Sequence, residues 1–166
     1  MEAMILTDIE TIPAGLRVGA MTLDVLSSVV TLEERCGLNS RGVEGYRKML
    51  SNSNAILLVV NADDESHCVV GAFSGNVVID ELQIDNIVVS ESWRRKGVGG
   101  MLLRAALLIA GGLGAHTATL EVRSANLPAR TFYEKEGFMI VGFRKQYYTA
   151  PSDDALLLSR EIQSKS

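Results

Sequence analysis

The chain has 166 residues, 47% hydrophobic and 22% charged, with a formal net charge of −4. That is enough chain for one packed core and too apolar for a disordered segment, so one domain over residues 1–166 is expected. The acidic balance argues against nucleic-acid binding, the apolar runs are too short to span a bilayer, and the acidic start MEAMILTDIE is no signal peptide. A cytoplasmic protein with no membrane partner follows. Cys36 and Cys68 are too few for a disulfide framework, and with the isolated His67 and His116 they lack metal-ligand spacing, so no metal is expected.

In chain order, residues 4–9 (MILTDI) read as a first strand. An amphipathic helix is expected around residues 15–29. Residues 38–41 form a loop, with Ser40 as cap for a helix over Gly42–Leu50. Residues 55–60 (AILLVV) read as a buried strand, 61–65 as a turn, and 68–74 and 77–89 as strands. After a Gly-rich turn comes a helix over residues 101–110. Its apolar positions Val98, Met101, Leu102, Ala105, Leu108 and Ile109 recur at 3–4 spacing and predict packing on a sheet. Gly111, Gly112 and Gly114 end it. Residues 119–123 (TLEVR) form a strand. Ser124–Asn126 and Pro128 then start a helix over 127–136, which Gly137 stops. Strands over 138–143 and 154–160 complete the chain. Strands that first pair in hairpins and then alternate with helices predict an α/β fold, a mixed sheet with helices on both faces.

The chemistry concentrates at Arg94–Gly100, RRKGVGG, between an apolar β-branched run (IDNIVV) and a helix. Such a turn presents backbone N–H groups at the positive end of a helix dipole, a place for phosphate. Arg94, Arg95 and Lys96 add formal charge. No GK[ST] follows, so this is not a P-loop, and Leu102 stands where a dinucleotide fingerprint needs glycine. A phosphorylated cofactor is the functional reading; a solvated basic turn is the bland one.

The ordered set RRKGVGGMLL, LEVRSAN, FYEKEGF and RKQYY closely resembles the GCN5-related N-acetyltransferases from about residue 84 to 158. The resemblance implies that family's mixed, mostly antiparallel sheet in a single domain, with acetyl-CoA as cosubstrate. The pyrophosphate would sit on the backbone of Arg95, Lys96, Gly97, Val98, Gly99 and Gly100, with Arg94 at the first position of the family's Q/R-x-x-G-x-G/A pattern. Pantetheine would run beside Ile87, Val88 and Val89. It further implies Glu121 as general base and Tyr133 as the acid beside the cofactor sulfur. Tyr147 and Tyr148 would shape the acceptor site. Asn126 serves as helix cap or cofactor contact.

The residues themselves are compatible with these roles. Leu120 and Val122 point to one side of a strand, so Glu121 and Arg123 share the other, where an Arg123–Glu121 pair on a solvated face is the alternative. Tyr133 lies about two helical turns from Asn126 and could face the same groove or pack on the sheet. Arg144 and Lys145 read as a solvated face. The expected activity is direct acetyl transfer to the N-terminal α-amino group of a protein, a ribosomal protein's N-terminal alanine among the candidates. Acetylation of another amine (lysine, aminoglycoside, polyamine or amino acid) and non-catalytic acyl-CoA binding stay open. The loop Cys36-Gly37-Leu38-Asn39-Ser40 lacks the aromatic Pro-Trp-Ser-like pattern of the enzymes it resembles, which leaves acceptor selection by residues 1–76 open.

Overall fold

The computed structural model describes residues 13–64 and 68–163; the expected strand over 4–9 lies outside them. Seven strands form one sheet in the order β1-β2-β3-β4-β5-β7-β6. They are β1 (Leu16–Ala20), β2 (Ala55–Ala62), β3 (Val69–Val78), β4 (Glu81–Val89), β5 (Thr117–Arg123), β6 (Met139–Thr149) and β7 (Ser152–Glu161). Every pairing is antiparallel except β4 with β5. The helices are α1 (Leu26–Arg35), α2 (Gly42–Leu50), α3 (Val98–Gly112) and α4 (Leu127–Lys135).

Alternation along the strands sends side chains into two cores. Ile56, Leu58 and Val60 of β2 join Met101, Leu102 and Ala105 of α3 on one face. Leu57 and Val59 meet Leu26, Val29 and Leu32 of α1 and Tyr46 of α2 on the other. The sheet is thus covered on both faces, as the pattern predicts.

Several local expectations are corrected. The apolar residues in the stretch expected as a helix over 15–29 split into β1 and, after a 3-10 turn at Leu23–Val25, the start of α1. Leu16 and Val18 are buried against the sheet, so period-2 burial wins over the helical spacing. The hairpin between β3 and β4 turns at Ile79–Asp80, with Ile79 at φ 60, and not at residues 75–76. Helix α3 runs through Gly111 and Gly112; its stop is Gly114, at φ 91. Its buried face takes in Leu103, Ala106, Leu107 and Ala110, while Leu108 and Ile109 are only half-buried. Ser40 caps α2 from outside, its Oγ accepting from Gly42 N at 3.1 Å. Strand β6 continues through Tyr147 and Tyr148 to Thr149.

Candidate active site

Two departures from regular pairing open the sheet. The first is a bulge in β4. Gly75 pairs Ile84 but Ser74 pairs Asn86, leaving Asp85 as the extra residue. Ile84 and Val88 are four apart and would share a face in a regular strand, yet they pack in opposite cores. The second is a fork. Strands β4 and β5 are paired only from Glu81–Thr117 to Gln83–Thr119. Beyond Gln83, the edge of β4 facing β5 carries no ladder, although β3 still pairs its other edge through Val89. Ile87 and Val89, which alternate with the β3-bonded Val88, therefore turn main-chain groups toward the fork, and a strand edge of this kind accepts an extended partner.

The glycine turn lies at the mouth of the fork. Gly97, at φ 84, is the left-handed N-cap of α3, and Arg95 at φ 60 shares that conformation. The first intrahelical bond runs from Met101 N to Gly97 O at 3.0 Å. The N–H groups of Val98, Gly99 and Gly100 precede it and have no acceptor within the helix. The later glycines differ in the room they leave. A Cβ on Gly99 would sit 3.5 Å from Phe132 of α4, and one on Gly100 would approach Arg104 and Glu136 to 2.9 Å.

The three basic residues divide. Arg94 folds back: its Nε donates to Val89 O at 3.2 Å and its Nη2 lies 3.4 Å from the Cys36 sulfur. It braces the turn against the end of β4. Lys96 sits over the Trp93 ring at 4.9 Å, and Trp93 itself packs on the core. Arg95 is exposed.

Glu121 stands two residues past the last β4–β5 pair, at the crotch of the fork. The strand alternates as expected: Ala118, Leu120 and Val122 are buried beneath α3 and α4, and Glu121 faces the other side. There it lines a cavity of about 610 Å3 with Glu81, Gln83, Asp85, Arg144, Tyr147 and Tyr148. Helices α1 and α2 pack over β2, β3 and the end of β4, which leaves this part of the face open. Glu81 accepts from Thr119 Oγ1 at 3.0 Å, and Asp85 pairs with Arg41 at 2.8 Å.

The expected alternative, a pair between Glu121 and Arg123, does not form. Arg123 donates to the carbonyls of Pro151 and Ala150 at 2.9 and 3.3 Å and lies 4.1 Å from the Tyr148 ring. The cation on Glu121 is Arg144, at 3.2 Å. Arg144, expected on a solvated face, is thus part of the cavity. No feature of the sequence showed this, because which residue of β6 stands beside Glu121 depends on the pairing of Gly142 and Glu121 with the same residue of β7, Leu157. The polar alternation Glu81, Gln83, Asp85 against Leu82 and Ile84 was legible and would have found the cavity floor. Tyr147 and Tyr148 meet edge to face, with centroids 5.2 Å apart. Burial and then the Glu121 charge raise the Tyr148 phenol above its ordinary range.

Tyr133 is not part of that cavity's lining. It is buried in the core beneath the sheet, between Phe132 at 5.0 Å and Phe138 at 5.5 Å. Burial pushes its phenol well above the usual range, so the hydroxyl keeps its proton at any ordinary pH. Phe132, its neighbour on α4, is the ring beside Gly99. Asn126 is the cap of α4, its Oδ1 accepting from Ala129 N at 3.2 Å. Among the described residues there is no cluster of His, Cys, Asp and Glu that would hold a metal, and no helix long and apolar enough to cross a membrane.

A forked sheet with a glycine turn at its mouth and a carboxylate at its crotch sets an anion-accepting helix N-terminus beside an open strand edge. Residues 26–138 match the acetyltransferase (GNAT) family, and the chain belongs to it: it is an N-acetyltransferase. Among its relatives is the ribosomal protein bS18-alanine N-acetyltransferase of Salmonella typhimurium, 34% identical over 108 residues that span 63% of this chain and 70% of that one. The crystal structure of the ribosomal-protein-S18-alanine N-acetyltransferase from Escherichia coli superposes with a TM-score of 0.78 at 22% identity, over 91% of this chain and 96% of that one. Arabidopsis thaliana NAA60 in complex with acetyl-CoA superposes with a TM-score of 0.80 at 14% identity, over 89% and 98% of the two chains.

Proposed function

We propose that this enzyme transfers acetyl from acetyl-CoA directly to the N-terminal α-amino group of a protein, a ribosomal protein's N-terminal alanine being the leading acceptor. The observation that carries the reading is Glu121 at the crotch of the fork, lining the open cavity between the polar floor of β4 and Tyr147 and Tyr148. The open edge of β4 and the α3 N-terminus fit the cosubstrate: pantetheine beside Ile87, Val88 and Val89, pyrophosphate on the amides of Val98, Gly99 and Gly100, and Arg95 and Lys96 near the phosphates. When bound, acetyl-CoA supplies the acetyl thioester. The side chains of Arg94 and Asn126 then support the turn and the helix, and their contact with the cosubstrate is indirect.

Glu121 takes the proton that the acceptor's ammonium must lose before its nitrogen attacks. One carboxylate is adequate because an α-amino group has a pKa of roughly 8, against about 10.4 for lysine. Tyr133, held protonated by burial, donates to the departing thiolate. The whole chain, residues 1–166, acts as one domain. Two free cysteines suit the reducing cytoplasm, where we place the reaction. The test uses paired peptides, one with a free N-terminal alanine and one blocked there but carrying an internal lysine. The free peptide should be acetylated at its α-amine, read by N-terminal fragment masses, and Glu121→Gln should slow it by about 100-fold at neutral pH. Equal acetylation of the blocked peptide would overturn the acceptor. A wild-type rate in Glu121→Gln would overturn the base.

A further inference from the structure

Arg144 is the cation lining the cavity around Glu121; the carboxylates there are Glu81, Asp85 and Glu121. Glu81 is already engaged by Thr119 and Gln83, and Asp85 by Arg41. Arg144 thus serves Glu121. Its contribution to stability is small, because the guanidinium side chain is 59% exposed and its one ion pair is screened by solvent. Folding therefore does not account for its aim.

The aim is built by the backbone. Arg144 pairs Ala155 and Tyr148 pairs Asp153, so three residues of β6 stand opposite one of β7. In a regular strand Arg144 and Tyr147 would point to opposite faces. Arg144 already shares the Glu121 face, because Gly142 and Glu121 both pair Leu157; the irregular stretch, with Gln146 at φ 51 and its N–H held by Asp154 Oδ1 at 2.8 Å, brings Tyr147 to the same cavity. Strand irregularities beside sites re-aim side chains in this way. The Arg144 guanidinium lies 5.4 Å from the Tyr147 ring centroid and 3.2 Å from Glu121 Oε1.

We propose that Arg144 is a positioning residue that fixes the Glu121 carboxylate by Oε1, presents Oε2 to the acceptor amine, and ties the carboxylate to Tyr147. The proton leaves the acceptor nitrogen for Oε2, and the tyrosines that receive the peptide are held in register with the group that deprotonates it. The proposal rests on the reading of Glu121 as the base. The experiment is a cycle of Arg144→Ala, Glu121→Gln and the double variant, with Arg144→Lys as the conservative control, measuring kcat, acceptor KM and acetyl-CoA affinity. Arg144→Ala should lower kcat about tenfold, since small misplacements of a catalytic group have large effects. Acetyl-CoA affinity should not change. Arg144→Lys should recover most of the rate. In the Glu121→Gln background, Arg144→Ala should add less than about twofold, because the two act as one unit. Independent, multiplying losses, or a lysine variant as slow as alanine, would overturn the proposal. Slow Glu121→Gln with wild-type Arg144→Ala overturns the positioning role alone; wild-type Glu121→Gln overturns the base and this role together.

Discussion

Tyr133 is placed by packing against two rings in the core, which sets both its protonation and its tolerance to change. A phenylalanine there keeps the ring and loses only the hydroxyl. Tyr133→Phe should therefore melt within a few degrees of wild type while kcat falls about 100-fold or more, as for loss of a general acid. Because burial holds the phenol protonated, the wild-type rate should show no fall from Tyr133 ionisation up to about pH 10, the ordinary phenol value. A pH–rate profile of wild type and variant checks both statements. An unchanged kcat in Tyr133→Phe would leave this residue a core aromatic.

At the level of elements, the turn between β4 and α3 carries the strongest local demand. Gly97 caps α3 in the left-handed region, where a Cβ meets no neighbour but the backbone itself is strained. Gly97→Val should destabilise by about 1–2 kcal/mol, the strain of a left-handed L-residue, and should weaken acetyl-CoA binding by shifting the first helical amides. Calorimetric titration with acetyl-CoA on the folded variant measures the second effect; unchanged affinity would remove the amides from the cosubstrate site. Gly99 differs, because a Cβ there makes an ordinary contact with Phe132. The fold leaves room for a small side chain at Gly99, so Gly99→Ala tests cosubstrate approach with little disturbance of packing. The turn, α4 and its cap at Asn126 were legible in the sequence, because each is a short-range pattern of glycine, proline and capping chemistry. Strand β1 was not: five residues of a strand next to a helix give a mixed period, and pairing with β2 settles it.

Across the whole molecule, the face of the sheet under α1 and α2 holds a buried polar group. Glu33 on α1 is 1% exposed. Its Oε1 accepts from Tyr46 of α2 and, at 3.0 Å, from Asn86 beside the β4 bulge, so it links two helices to the bulge. Burial first, and then the bond to Glu33, raise the Tyr46 phenol. A phenol with a raised folded-state pKa contributes stability that is complete below its unfolded value, about 10, and is lost as pH rises above it. Tyr46 and Tyr133 both act in that direction. The urea midpoint should hold from pH 7 to 9 and fall between about pH 10 and 11. Tyr46→Phe should lower stability at neutral pH by about 1–3 kcal/mol, leaving the buried Glu33 Oε1 with Asn86 as its remaining donor, and should flatten the alkaline decline. A midpoint that is flat through pH 11 in wild type would contradict this.

By itself the sequence determined the order of elements from β4 to β7, the glycine turn at the head of α3, and the side of β5 on which Glu121 stands. Each is set by neighbours a few residues away, through side-chain period and backbone freedom. Tertiary structure decided what those residues face. The bulge at Asp85 and the fork beyond Gln83 depend on pairing with β3 and β5, and they create the cavity at Glu121. The exchange of Arg123 for Arg144 as the partner of Glu121 depends on the pairing of β5 and β6 with β7, which sets Glu121 and Gly142 on either side of Leu157. A slip of one residue in strand pairing would turn a side chain to the opposite face, and nothing local to Arg144 records the register it takes.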